Sequence, residues 1–181
     1  MTSIYDLHYP NPTYDMFFLL LQTSDLIHRI LEERLDEENE GVTLAQLRLL
    51  LVLSRHDRPL TSAELGRCVF RKSQSITTAL DQLKKSGYVA VIRDQKDKRL
   101  VRIHITEMGE QLLEKHLPWL HQGQREMVSC FSIDELQQIE EYLRRLRYWL
   151  FQLSGMKLIE AVPEFDGAHR FHVRRKSSET I

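Results

Sequence analysis

Five short polar side chains, Ser73, Gln74, Ser75, Thr77 and Thr78, lie in a stretch whose apolar residues Ile76, Leu80 and Leu83 recur at helical spacing. Hydroxyls and a carboxamide both donate and accept hydrogen bonds. An exposed helix face made of them can therefore read base edges in a major groove, which is wide enough to take one helix. Arg71 and Lys72 precede the stretch and Lys84 and Lys85 close it, where cations meet phosphates. Further along, Arg93, Lys96, Lys98 and Arg99 surround a polar tip, Asp94 to Lys98. A cationic tip suits the negative potential of a narrow minor groove.

Other chemistry is less well supported. The chain contains no G-x-S-x-G, phosphate loop, dinucleotide fingerprint or H-E-x-x-H, so neither an enzyme nor a cofactor is expected. Glu114, His116 and His121 form a loose cluster, as do His169 and His172 near Glu164 and Asp166, but neither has compact zinc spacing, and no metal is expected. Cys68 and Cys130 are too few for a disulfide framework and read as buried free thiols; Cys68, between Arg67 and Arg71, is the one worth testing as a sensor.

Charge is unevenly distributed. Residues 1–53 carry three basic and nine acidic side chains, residues 54–105 twelve and five, and residues 106–181 ten and twelve. The formal net charge of −1 hides a basic middle third between acidic arms, which attracts a polyanion locally. With 42% hydrophobic residues and no apolar run long enough for a membrane span, the chain reads as a soluble, helix-rich protein without a membrane partner. Acidic residues early in the chain (Asp6, Asp15) argue against a signal peptide and for a cytoplasmic protein.

The elements that must position the polar face follow from periodicity and caps. Thr13 or Asp15 caps a helix to about Leu35, and Thr43 a second one to Ser54. Thr61 with Glu64 is a capping box opening a short helix to about Val69, and a further helix runs from Ser73 to Ser86 before Gly87. Tyr88 to Ile92 and Leu100 to Ile105 read as two strands of a hairpin around the charged tip. A long helix follows Thr106, with a bend expected near Pro118. Ser132 and Glu135 open a last helix, in which Leu136, Ile139, Leu143, Leu146, Leu150 and Leu153 form a coiled-coil type of seam. The expected fold is mainly α with a small two-stranded β wing: an arm and helix over 1–40, a winged helix-turn-helix lobe over 41–105, two long helices over 106–155, and a tail over 156–181.

Residues 43–115 resemble the core of the MarR family, the multiple-antibiotic-resistance type of regulator. The matching text is Thr43-Leu44-Ala45-Gln46-Leu47-Arg48-Leu49-Leu50, Leu60-Thr61-Ser62-Ala63-Glu64-Leu65, Ser75-Ile76-Thr77 and Leu80 through Val89. It continues with Arg93-Asp94, then Asp97-Lys98-Arg99, and Ile105-Thr106-Glu107-Met108-Gly109. The resemblance implies that Ser73, Gln74, Ser75, Thr77 and Thr78 lie on a recognition helix. It further implies that Asp94 and Asp97 steady the wing and that Arg99 reaches toward the minor groove. The sequence departs from the family at Thr78, where an Arg is common, and in the bulky segment Arg67-Cys68-Val69-Phe70-Arg71-Lys72; Arg71 or Lys72 is the candidate to supply the missing cation.

The resemblance also implies a homodimer built from the first and last two helices, which would cover the leucine seam and the apolar residues of the first helix. A small aromatic or anionic ligand is expected between those helices and the lobe, with Tyr14, Phe17, Phe18, His28 and His56 as candidate lining residues. The expected function is a DNA-binding transcriptional regulator, a repressor released by such a ligand. The alternative is a winged-helix module that binds a protein partner through the same fold.

Overall fold

Local hydrogen bonding sets most of the helix starts. Thr43, Thr61 and Ser132 each accept from the backbone N–H three residues on, while Gln46, Glu64 and Glu135 return a bond to the cap residue's own N–H. These reciprocal pairs satisfy donors that a helix leaves unpaired. The computed structural model describes residues 12–37, 41–94 and 97–155. In chain order it comprises α1 (Pro12–Glu37), α2 (Leu44–Ser54), β1 (Leu60–Thr61), α3 (Ser62–Cys68), α4 (Ser73–Lys85), β2 (Val89–Arg93), β3 (Val101–Ile105), α5 (Glu107–Met127) and α6 (Ile133–Ser154).

The sheet is antiparallel in the order β1-β3-β2, with Val91 opposite Ile103 and Leu60 on the other side of Ile103. The two-stranded wing is thus extended by a two-residue strand, too short to show alternation in the sequence. Leu60 nonetheless is fully buried, so this strand contributes to the core as well as covering one edge of β3. α5 continues through Pro118 as a single helix.

Two apolar clusters share α2. Leu49, Leu50 and Leu53 pack with Leu60, Leu65, Ile76, Leu80, Leu83, Val89 and Ile103 to form the core of the lobe. Leu44 and Leu47, one or two turns earlier on α2, pack instead with Leu31, Leu35 and Val42, flanked by Trp119, Leu120 and Met127 of α5. Full burial of a leucine is worth about 2 kcal/mol. α2 is consequently a beam joining the lobe to the long helices. Gly123 of α5 sits under α1, where a Cβ would lie 3.3 Å from Arg34 Nη1, and Arg34 pairs with Glu126 at 2.8 Å.

α6 contrasts with all of this, because none of its residues is buried. Leu143, Leu150 and Leu153 of its seam are about half exposed or more, together with Tyr142, Tyr148 and Trp149. The first half of α1 likewise exposes Met16, Phe17, Leu19 and Leu21. Contiguous apolar surface on this scale marks an interaction site. The tail over 156–181 lies outside the described residues.

Candidate nucleic-acid interface

α4 is amphipathic in the expected sense. Ile76, Leu80 and Leu83 are buried in the lobe, while Gln74, Ser75, Thr77 and Thr78 are exposed and Ser73 is half-buried. Thr77 donates its hydroxyl to the Ser73 carbonyl at 3.1 Å, leaving the hydroxyl oxygen as an acceptor. Arg71 and Lys72 are exposed just before the first turn, and Lys84 and Lys85 after the last buried leucine. One helix therefore carries an exposed polar face bracketed by cations at both ends.

The wing is built on two aspartates. Asp94 accepts from the Asp97 N–H through Oδ1 at 2.9 Å, and its Oδ2 is paired with the Arg102 guanidinium. Asp97 in turn accepts from the Arg99 N–H at 3.0 Å, while its own carbonyl takes the Leu100 N–H at 2.9 Å. These bonds close the tip and leave Lys98 and Arg99 exposed. Lys96 lies outside the described residues.

Arg102 and Arg58 are contributors that sequence reasoning missed, and Glu64, expected only as the cap of α3, is their shared partner. From β3, Arg102 reaches Asp94 on the wing, Glu64 on α3 at 3.6 Å and the Pro59 carbonyl at 3.3 Å. Glu64 also takes a 2.8 Å bond from Arg58 and closes the α3 capping box. The wing root is thereby tied to the first helix of the helix-turn-helix. The only hint in the sequence was a cation alternating with the apolar residues of a strand.

Burial alone would raise the Glu64 pKa, but bonds from Arg58 and from the N–H and hydroxyl of Thr61, with the charge of Arg58, outweigh it and hold the carboxyl at about 2. An ordinary glutamate titrates near 4.5. The stabilisation is fully present above that value and is lost as pH falls toward 2. Glu64→Gln, which retains the cap, is expected to cost about 2 kcal/mol at pH 7 after allowing for partial solvent contact. Urea midpoints of the two proteins should converge as pH is lowered from 4.5 to 2.

The five residues proposed to line a ligand site are spread out. Tyr14, Phe17 and Phe18 are exposed at the start of α1. His28, paired with Glu32 at 3.3 Å, is about 15 Å further along the helix axis. His56 follows the end of α2, with Nδ1 2.7 Å from the Val52 carbonyl oxygen. A groove of about 900 Å³ runs between α1 and α6, walled by Met16, Leu20, Tyr142, Leu146 and Trp149 with Arg144 and Arg145; none of those five is among its walls.

Cys68 is buried, and that burial pushes its thiol up despite the nearby Arg67, making it a poor nucleophile at neutral pH. Cys130 corrects the sequence expectation: it is exposed, in the turn between α5 and α6, because no element among the described residues packs over that turn. His116 is buried on α5, and among the described residues no group of three or more His, Cys, Asp or Glu is placed to hold a metal ion. No helix among them is long and apolar enough to cross a membrane.

Comparison with known proteins points the same way as this geometry. The MarR family model matches residues 40–100, which span α2 through the wing tip. The Bacillus subtilis HTH-type transcriptional regulator YpoP is 32% identical over 101 residues, covering 56% of this chain and 69% of YpoP. The chain belongs to the MarR family. Similarity to another regulator extends further, as the transcriptional activatory protein BadR of Rhodopseudomonas palustris is 26% identical over 148 residues, 80% of each chain. The Staphylococcus aureus MepR–DNA complex superposes with a TM-score of 0.65 at 21% identity, over 77% of this chain and 96% of MepR. That coverage includes helices outside the MarR core, so the long helices belong to the shared fold. As a MarR-family member the chain is a winged-helix transcriptional regulator rather than an enzyme.

Proposed function

We propose that two copies of the chain bind one double-stranded operator, placing α4 of each in successive major grooves and the wing tips against the flanking minor grooves. The observation that carries this reading is the polar outer face of α4, with cations at both ends. It shares the lobe with a wing whose Lys98 and Arg99 are exposed. Ser73, Gln74, Ser75, Thr77 and Thr78 read base edges, whereas Arg71, Lys72, Lys96, Lys98 and Arg99 meet phosphates or the minor groove. Asp94 and Asp97 hold the tip in the shape this requires. Occupying a promoter in this way represses transcription, and the protein acts in the cytoplasm, where its operator lies.

Two-fold pairing is supported by the apolar faces of α1 and α6, which nothing among the described residues covers. A small aromatic or anionic effector completes the proposal, seated in the α1–α6 groove and not among the dispersed Tyr14, Phe17, Phe18, His28 and His56. That groove, with Arg144 and Arg145 at its walls, has the chemistry for such a molecule.

The test is binding of the purified protein to its own upstream DNA beside an unrelated duplex, titrated over salt. Preferential binding to the upstream duplex with a steep salt slope is expected. Arg99→Ala should lower that affinity about ten- to a hundredfold without shifting the melting temperature. Equal, weak binding to both duplexes would instead favour a winged-helix module that recognises a protein.

A further inference from the structure

Among the described residues Phe70 is the sole non-glycine with positive φ, at 55°. An aromatic side chain in left-handed backbone is disfavoured and persists only where its surroundings over-determine it. Phe70 occupies the turn between α3 and α4, in the bulky segment that departs from the family pattern. The turn closes tightly, with the Phe70 N–H on the Arg67 carbonyl and the Arg71 N–H on the Gly66 carbonyl at 2.8 Å. A Cβ at Gly66 would stand only 2.6 Å from the Arg71 carbonyl oxygen. The backbone thus turns the Phe70 ring outward, where it meets Phe151 of α6, with ring centroids 5.6 Å apart and planes tilted by 57°. Tilted aromatic pairs at this separation attract.

The contact matters because α4 begins immediately beyond this turn. Thr43, Thr61, Thr106 and Ser132 cap the starts of α2, α3, α5 and α6 with their side chains, but Lys72, at the start of α4, makes no such bond. The first turn of α4 is therefore held by buried Ile76 and by the conformation of residues 69–72.

We propose that Phe70 and Phe151 are positioning residues: their ring contact holds the left-handed turn and so seats the first turn of α4, making the placement of the reading face depend on where α6 stands. This rests on the DNA-binding reading above and deepens it. The contact joins the lobe to α6 independently of the α2 beam. A shift of α6 would release the turn and carry Arg71, Lys72 and Ser73 off their phosphates and bases.

Hydrogen exchange and DNA binding on the full chain test it together. Phe151→Ala should speed amide exchange over residues 70–76 several-fold and lower affinity for the upstream duplex about three- to tenfold. Phe70→Leu should do the same, since it removes the ring while keeping a Cβ at the positive φ. The double variant should be within about twofold of either single one, because both remove one contact. Unchanged exchange over 70–76, losses that multiply in the double variant, or faster exchange with unchanged affinity would overturn the proposal. If wild type binds both duplexes equally, the DNA reading falls, while the exchange result still decides whether the ring contact seats α4.

Discussion

Gly109→Ala is expected to destabilise the protein by about 2–3 kcal/mol, lowering the melting temperature by roughly 5–10 °C. Gly109 is buried in the first turn of α5, where that helix crosses the start of β2. An added Cβ would stand 2.2 Å from the Tyr88 carbonyl oxygen and 2.8 Å from Cγ1 of Ile105. The carbonyl cannot simply retreat, because it accepts the Thr106 N–H at 3.1 Å. Thr106 is pinned as well, donating its hydroxyl to the Gly87 carbonyl at 2.7 Å and capping α5 through the Gly109 N–H. Alanine gains about 1 kcal/mol of helix propensity over glycine, so the predicted loss is what remains after that gain. Thermal melts of the two proteins measure it. A change below about 1 kcal/mol would mean that α5 can lift off the wing root at little cost.

The second large effect concerns the uncovered seam. On the two-fold pairing proposed above, the protein should sediment as a dimer at micromolar concentration, and Leu143→Glu combined with Leu150→Glu should leave it monomeric. The double substitution should also lower affinity for upstream DNA more than a hundredfold. Both leucines are about half exposed in the single chain, so the substitutions cost the protomer little. In a dimer they would place four carboxylates in an apolar interface, where burying each charge without a partner costs several kcal/mol. Affinity falls with assembly because a monomer offers one reading helix in place of two at fixed spacing. A variant that stays dimeric and keeps its affinity would move the interface away from α6.

Much of the lobe could be read along the chain. The polar face of α4 showed because Ile76, Leu80 and Leu83 recur at three and four residues, a period that one helix imposes by itself. Thr43, Thr61 and Ser132 showed as helix starts because a capping box closes within four residues. The charged tip between two β-rich runs marked the wing, although the pairing of β1 with β3 did not show, since two residues carry no period. Arg102 was legible only as an odd cation in a strand. Its partners Asp94, Glu64 and the Pro59 carbonyl come from three separate segments. Phe70 stood out as bulk in the helix-turn-helix turn, but neither its positive φ nor its contact with Phe151 could be inferred from neighbouring residues. The five proposed ligand-lining residues show the reverse failure, because sharing an aromatic or imidazole character did not place them together.

What forms within a turn or two is therefore written along the chain: the helices and their caps, the hairpin, the bracketed polar face and the basic middle third. Propensity, periodicity and capping act over a few residues, so their signals survive in a short window of text. How the wing root is tied to α3, how closely α5 lies on Tyr88, and which ring meets Phe70 follow only from the packed fold. Each of these depends on the angle and distance between elements far apart in the chain, and those are set by the packing of the whole core on α2.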